Sequence, residues 1–173
     1  MNAAHVHLVL THFPIIGTIF GVLILIYALI TNNTSVKKVA YGIFVFTAIV
    51  SIPVFLSGEN AEEIVEDLPG VSERLIENHE ELAEKVIWLA GLLGLLSLVN
   101  LYAMAKKLSF VKTLSWIILV LSLITAGFFA KTGNLGGQIR HSEIRKDNAG
   151  QEKGIYKSEQ GKEEGEEEDD DDD

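Results

Sequence analysis

Four stretches of the chain, residues 8–30, 39–56, 86–105 and 110–130, are almost purely apolar, and the only charge in any of them is Lys112 at the entry to the last. A bilayer core of roughly 30 Å requires about 20 residues at a rise of about 1.5 Å each, which all four stretches supply or approach. In hydrocarbon a backbone segment must satisfy its own hydrogen bonds, so each stretch is predicted to be a transmembrane helix. The connectors at 32–38 and 106–112 are too short for anything but a turn, which pairs the first helix with the second and the third with the fourth as antiparallel hairpins. The expected fold class is therefore all-α, an integral membrane four-helix bundle with a disordered acidic C-terminal tail. The expected division is a transmembrane domain over 1–146 and a tail over 147–173.

The middle connector, 57–85, is longer and acidic. It reads as a helical stretch over 61–67, a break at Pro69-Gly70, and a helix that opens near Ser72, a candidate N-cap, and runs without another breaker into the third span. That helix projects beyond the bilayer and stacks Leu75, His79 and Leu82 or Val86 on one side. Beyond residue 147 large apolar side chains nearly vanish and the chain closes in an unbroken acidic run, the composition of a solvated, disordered segment. The two hairpins look alike in hydropathy, with no sequence repeat between them.

Charge adds an orientation. Lys37 and Lys38 lie in the first short loop, and Lys106, Lys107 and Lys112 in or beside the other, with no acid in either, so these loops are expected to face the cytoplasm. The N-terminus, the acidic connector and the C-terminal tail then face outward, although Lys131, Arg140, Arg145 and Lys146 after the last span oppose this assignment. The net charge of −10 belongs to connectors and tail, since hydrophobic residues make up 48% of the chain and come in blocks. The opening residues carry no Lys or Arg and the first apolar run exceeds signal-peptide length, so it is expected to be retained as a span. The absence of cysteine removes disulfides, thiolate chemistry, Cys-type metal centres and c-type haem attachment.

The five histidines, His5, His7, His12, His79 and His141, all fall on one face of the membrane, because an even number of spans separates them. His5 and His12, seven residues apart, lie about 20° from a common helix face and about 10 Å apart along the axis, while His7 points elsewhere. His12 carries the most weight, as an ionisable side chain within a span, two positions before Pro14. Its expected partner is His79, and two imidazoles on facing helices of a bundle can ligate a porphyrin iron between them. The plainer alternative is a set of interfacial histidines bonded to backbone or water, and for His7 this is the preferred reading. Gly17 and Gly21 form a small-xxx-small pair away from the His12 face and are expected to serve helix packing, as are Gly91, Gly94 and Gly127. The glycine-rich run 132–141 matches no phosphate loop and is read as a tight turn that folds back, bringing His141 and Arg140 to the site of His79, where Arg140 can neutralise a carboxylate or a haem propionate.

Leu10-Thr11-His12-Phe13-Pro14-Ile15 resembles the His-Phe-Pro-Ile opening of the bacterial membrane family called domain of unknown function 2231, and Gly136-Gly137 followed by His141 resembles its closing motif. The resemblance spans about residues 5–142 by order of features, including the Ser57-Gly58 exit of the second span and a histidine before the third. It departs at the close, which reads Arg-His-Ser where the family tends to Thr-His-Gly, and in its acidic tail and lack of a cytochrome module. The resemblance implies a multi-pass protein of the bacterial inner membrane, linked to c-type cytochromes or respiratory complex subunits, and makes a b-type haem the expected cofactor.

The leading expectation is a non-enzymatic electron-transfer subunit with haem b ligated by His12 and His79, and with His5, His141 and Arg140 around the haem edge. The runner-up is an outer-face transition-metal site built from His5, His7, His79 or His141 with Glu80 or Glu81. The third is a cofactor-free assembly subunit that recruits a soluble cytochrome through its acidic face and tail by salt-sensitive attraction. Catalysis is disfavoured, since no nucleophile stands beside a base and no carboxylate pair lies within a span. The spans lack the acidic or basic side chains typical of ion pathways, and no basic stripe exists for nucleic acid. Oligomerisation of the bundle is left open by the sequence.

Overall fold

The structure, a computed structural model, describes residues 2–66, 68, 71–141, 144 and 145. The Pro69-Gly70 break and the acidic tail over 147–173 lie outside the described residues. Four helices account for nearly all the rest: α1 (Ala3–Ile30), α2 (Thr34–Val65), α3 (Glu73–Ala105) and α4 (Val111–Arg140). Each packs on its chain neighbours and α4 closes the ring on α1, so α1 and α3 stand on one diagonal. All four are long and apolar enough to cross a membrane.

The core is set by a seam in which inward positions alternate at four- and three-residue steps. On α1 the seam is His7, Thr11, Pro14, Thr18, Gly21, Leu25 and Ala28; on α4 it is Ser115, Ile118, Ser122, Thr125, Phe129, Thr132, Gly136 and Ile139. Large apolar side chains such as Phe20, Leu56 and Trp88 point outward, Trp88 with 80% of its surface exposed, while Thr18, Thr47, Ser51, Ser97, Asn100, Ser122 and Thr125 are buried. That inversion of the usual soluble pattern is what a lipid solvent permits, because burying Leu against Leu gains nothing over burying it against a lipid tail. Close approach comes from small residues instead. A Cβ on Gly21 would overlap the Phe44 ring, one on Gly94 would overlap the Ala48 methyl, and one on Gly17 would stand 2.8 Å from the Thr47 hydroxyl. Gly17, Gly21 and Gly94 are thus packing positions, as expected; Gly91 and Gly127 face open space.

Both short connectors close the same way. Asn32 and Lys107 take left-handed φ of 50° and 55°, and the next residues return their amides to the helix they leave, Asn33 to the Ala28 carbonyl and Leu108 to the Ala103 carbonyl, each at 3.0 Å. These are Schellman closures. Asn33 then caps α2 by accepting from the Ser35 and Val36 amides, and Asn2 caps α1 by accepting from the His5 amide at 2.9 Å. Ser72 occupies the N-cap position of α3 but makes no side-chain capping bond.

Two expectations are corrected. The stretch from Ala61 is no separate helix but the continuation of α2 to Val65. Residues 132–141 form no turn: α4 runs through Gly133, Gly136 and Gly137 to Arg140, and Arg145 closes it by donating from Nε to the Gln138 carbonyl (2.7 Å) and from Nη2 to the Ile139 carbonyl (2.9 Å). Glycine lowers helix propensity by about 1 kcal/mol per residue, yet the seam positions Thr132, Gly136 and Ile139 gain packing that overrides it. At about 1.5 Å per residue, all four helices exceed the hydrocarbon thickness, and the excess lies at one end: the start of α1, the end of α2, the start of α3 and the end of α4.

Candidate functional site

The histidines collect at that extended end, but the rings turned into the bundle are His7 and His79, not the His12–His79 pair the sequence favoured. His7 occupies the α1 seam, the first inward position before the apolar stretch begins. Its Nδ1–H donates toward the Val54 carbonyl at 3.1 Å and the Ser57 hydroxyl at 3.0 Å, and Ser57 Oγ itself donates to the same carbonyl at 2.9 Å. His79 occupies the α3 seam seven residues ahead of Val86, and its Nδ1–H donates to the Thr132 carbonyl of α4 at 3.0 Å. Both rings are half-buried and close enough that charge on His79 bears on His7.

A carbonyl only accepts, so the Thr132 carbonyl calls for the proton on Nδ1 of His79, and the Val54 carbonyl favours the same tautomer of His7 when Ser57 donates to that carbonyl and not to the ring. In the neutral imidazoles the second nitrogen, Nε2, is then a lone-pair donor with its ring orientation fixed from behind, the arrangement that metal-ligating histidines adopt. Burial pushes His79 below the ordinary histidine value, partly opposed by the Thr132 carbonyl, which favours the neutral, ligand-competent form. His79 precedes the apolar stretch of α3, in the part of the helix bearing Glu77, Glu80, Glu81 and Glu84.

His12 stands elsewhere. It is one position past Thr11 on the seam, hence about 100° round the helix, and its exposed ring donates from Nδ1 to the Leu8 carbonyl of its own helix at 2.7 Å. It lines a shallow outward depression with His5, Leu8, Val9 and Phe13. The seven-residue spacing does put His5 and His12 on one face, but that face is turned away from the bundle. The phase of α1 is fixed by the small residues Gly17 and Gly21 against α2, and the same reasoning that sets those glycines apart from His12 also takes His12 out of the interior. His7, seven residues before Pro14 and eleven before Thr18, carried the legible signal, an ionisable side chain in register with the packing face.

His141 is the C-cap of α4 and is exposed, as is Arg140. The fold-back expected to bring them to His79 does not form, because the segment is helical. What meets His79 there is Gly136, where a Cβ would stand 3.1 Å from the imidazole Cε1 and 3.4 Å from Nδ1. Among the described residues no three His, Cys, Asp or Glu side chains form a group that could hold a metal ion, so His5, His7, His79 and His141 are not assembled with Glu80 or Glu81 into the alternative site. Glu62 and Glu80 do meet between α2 and α3; hydrogen bonding and repulsion between the two carboxyls, with burial, raise Glu62 above the usual carboxylate range.

Comparison with protein-family models, with curated proteins and with solved structures returns no match. The chemistry of the site therefore rests on its own residues.

Proposed function

We propose that this chain is a membrane-embedded haem-binding electron-transfer subunit in which His7 and His79 would hold the haem iron. The supporting observation is the pair of Nδ1–H bonds to the Val54 and Thr132 carbonyls, which leaves two Nε2 lone pairs at one end of the bundle. Two nitrogen ligands without a third protein ligand suit a centre that brings its own equatorial ligands, whereas zinc or a similar ion requires about four donors, most of them from the protein. The glycine opposite His79 lets that ring lie directly against α4, where a Cβ would stand 3.1 Å from its Cε1. When bound, a b-type haem would supply one-electron chemistry at the iron; the Val54 and Thr132 carbonyls fix ring orientation, and burial favours neutral His79.

The Lys-bearing short loops support a histidine end on the outer face of the membrane. With the resemblance to domain of unknown function 2231, this supports a location in a bacterial inner membrane with both termini outside. The partner of this reading is a c-type cytochrome or respiratory complex subunit that docks at the acidic face formed by the ends of α2 and α3. The test is the absorption spectrum of protein purified from haem-replete cells. A Soret band is expected for wild type and for His12→Ala, and its loss for His7→Ala and for His79→Ala. A colourless wild-type preparation, or retention of the unaltered spectrum in both of the latter variants, overturns the reading.

A further inference from the structure

The two imidazoles are held by the same local device, once in each hairpin. In the α1–α2 hairpin, His7 donates to the Val54 carbonyl, and four residues later stands Gly58, where a Cβ would lie 3.7 Å from the His7 Cε1. In the α3–α4 hairpin, His79 donates to the Thr132 carbonyl, and four residues later stands Gly136, with its Cβ position 3.1 Å from the His79 Cε1. The glycine has a physical reason to occupy that position. A helical carbonyl already accepts from the amide four residues on, and Cα–Cβ bonds lean toward the helix N-terminus, so the side chain at the fourth residue overhangs the carbonyl's second lone pair. Removing that side chain opens the carbonyl to a ring from the neighbouring helix. The hairpins agree at their far ends too, where each closes through a left-handed residue and a matching amide return to Ala28 or Ala103.

We propose that the bundle is built from two structurally equivalent hairpins, each carrying one imidazole cradle made of a helix carbonyl and a small residue one turn beyond it, and that Gly136 is a positioning residue which aims the Nε2 atom of His79, while position 58 aims that of His7 by keeping its side chain small. This rests on the haem reading for what the nitrogens are aimed at, but the cradle itself belongs to the protein alone. The two halves differ in tightness. At 3.1 Å from Cε1 and 3.4 Å from Nδ1, an added methyl at residue 136 makes the His79 ring give by a few tenths of an ångström and strains its bond to the Thr132 carbonyl, whereas 3.7 Å at residue 58 is ordinary contact that an alanine tolerates.

The experiment is nitrogen NMR of histidine-labelled protein in detergent, recorded without haem and then with haem added. Wild type is expected to show His7 and His79 locked in the Nδ1–H tautomer. Gly136→Ala is expected to shift the His79 ring resonances alone toward a mixture of tautomers and, with haem, to alter the absorption spectrum of the bound group. Gly58→Ala is expected to leave His7 locked and Gly58→Leu to release it. Gly127→Ala, on the same helix as Gly136 but facing open space, is the control for a general effect of alanine in α4 and changes nothing. Unlocked imidazoles in wild type, or an unchanged His79 in Gly136→Ala, overturn the proposal. Locked imidazoles that respond as described in a protein that takes up no haem sustain the cradle and remove the haem reading.

Discussion

Removal of the Ser115 hydroxyl is expected to destabilise the bundle out of proportion to its size. Ser115 lies in the α4 seam near the short loops, 1% exposed, and its oxygen accepts from the Tyr41 hydroxyl of α2 at 2.8 Å and from the Asn100 amide of α3 at 3.2 Å, while donating to the Val111 carbonyl at 2.7 Å. Tyr41 and Asn100 are both 0% exposed, so Ser115→Ala removes the acceptor of two buried donors and leaves them only each other, through the unpaired Asn100 Oδ1. A stranded buried donor costs about 1–3 kcal/mol in a soluble protein, and interhelical bonds in membranes average about 0.6 with a maximum near 1.7. Two such bonds at the membrane scale give an expected loss of about 1–3 kcal/mol. Tyr41→Phe removes a donor together with its need and is expected to cost about 0.5–1.5 kcal/mol. The double variant is then no worse than Ser115→Ala alone, a coupling of about 0.5–1.5 kcal/mol. Unfolding of the purified protein in mixed micelles with rising SDS fraction measures all three. Equal costs that simply add, or a Ser115→Ala variant indistinguishable from wild type, would show that this three-helix contact does not hold the hairpins in register.

Two further outcomes are expected. His79 sits below the ordinary histidine value of about 6.5, so the unfolded chain takes up the proton first; its stabilising contribution is present above about pH 6.5 and lost as pH falls through the folded value. Glu62 has the opposite sign: its raised value gives a contribution present at low pH and lost as pH rises through that value. Haem-free unfolding scans between pH 5 and about 7.5, in a Glu62→Gln background that removes the opposing slope, should therefore lose stability on acidification, and His79→Gln should lessen the slope, leaving the part due to His7, which burial also lowers; an equal slope in both is the contrary result. For orientation, the absence of cysteine allows single sites to be read cleanly. In intact cells with the outer membrane opened, Ser72→Cys should react with a membrane-impermeant maleimide and Asn33→Cys only after lysis, and the reverse pattern would invert the assignment.

The four helices and their pairing into hairpins were legible from the apolar stretches because backbone self-satisfaction in lipid leaves no other structure. Their full lengths were not. The extensions of α2 to Val65 and α4 to Arg140 carry charges and glycines that signal connector or turn when taken locally, and only the seam contacts beyond the apolar stretches, Ala61, Ile76 and Ile139 among them, explain why helix persists. At the site, the sequence placed all five histidines at one end and singled out His79. It favoured His12 over His7 because depth within an apolar stretch says nothing of rotational phase.

By itself, then, the sequence determined an all-helical bundle with membrane-spanning dimensions, the number of its helices and the end at which imidazoles gather, since these follow from hydropathy and from parity of crossings. Tertiary structure alone decided which ring faces which carbonyl. Rotation about a helix axis costs nothing until a neighbour is present, and here the neighbour is chosen by Gly21 on Phe44, Gly94 on Ala48 and Gly136 on His79, contacts between residues too far apart in the chain for any local pattern to join.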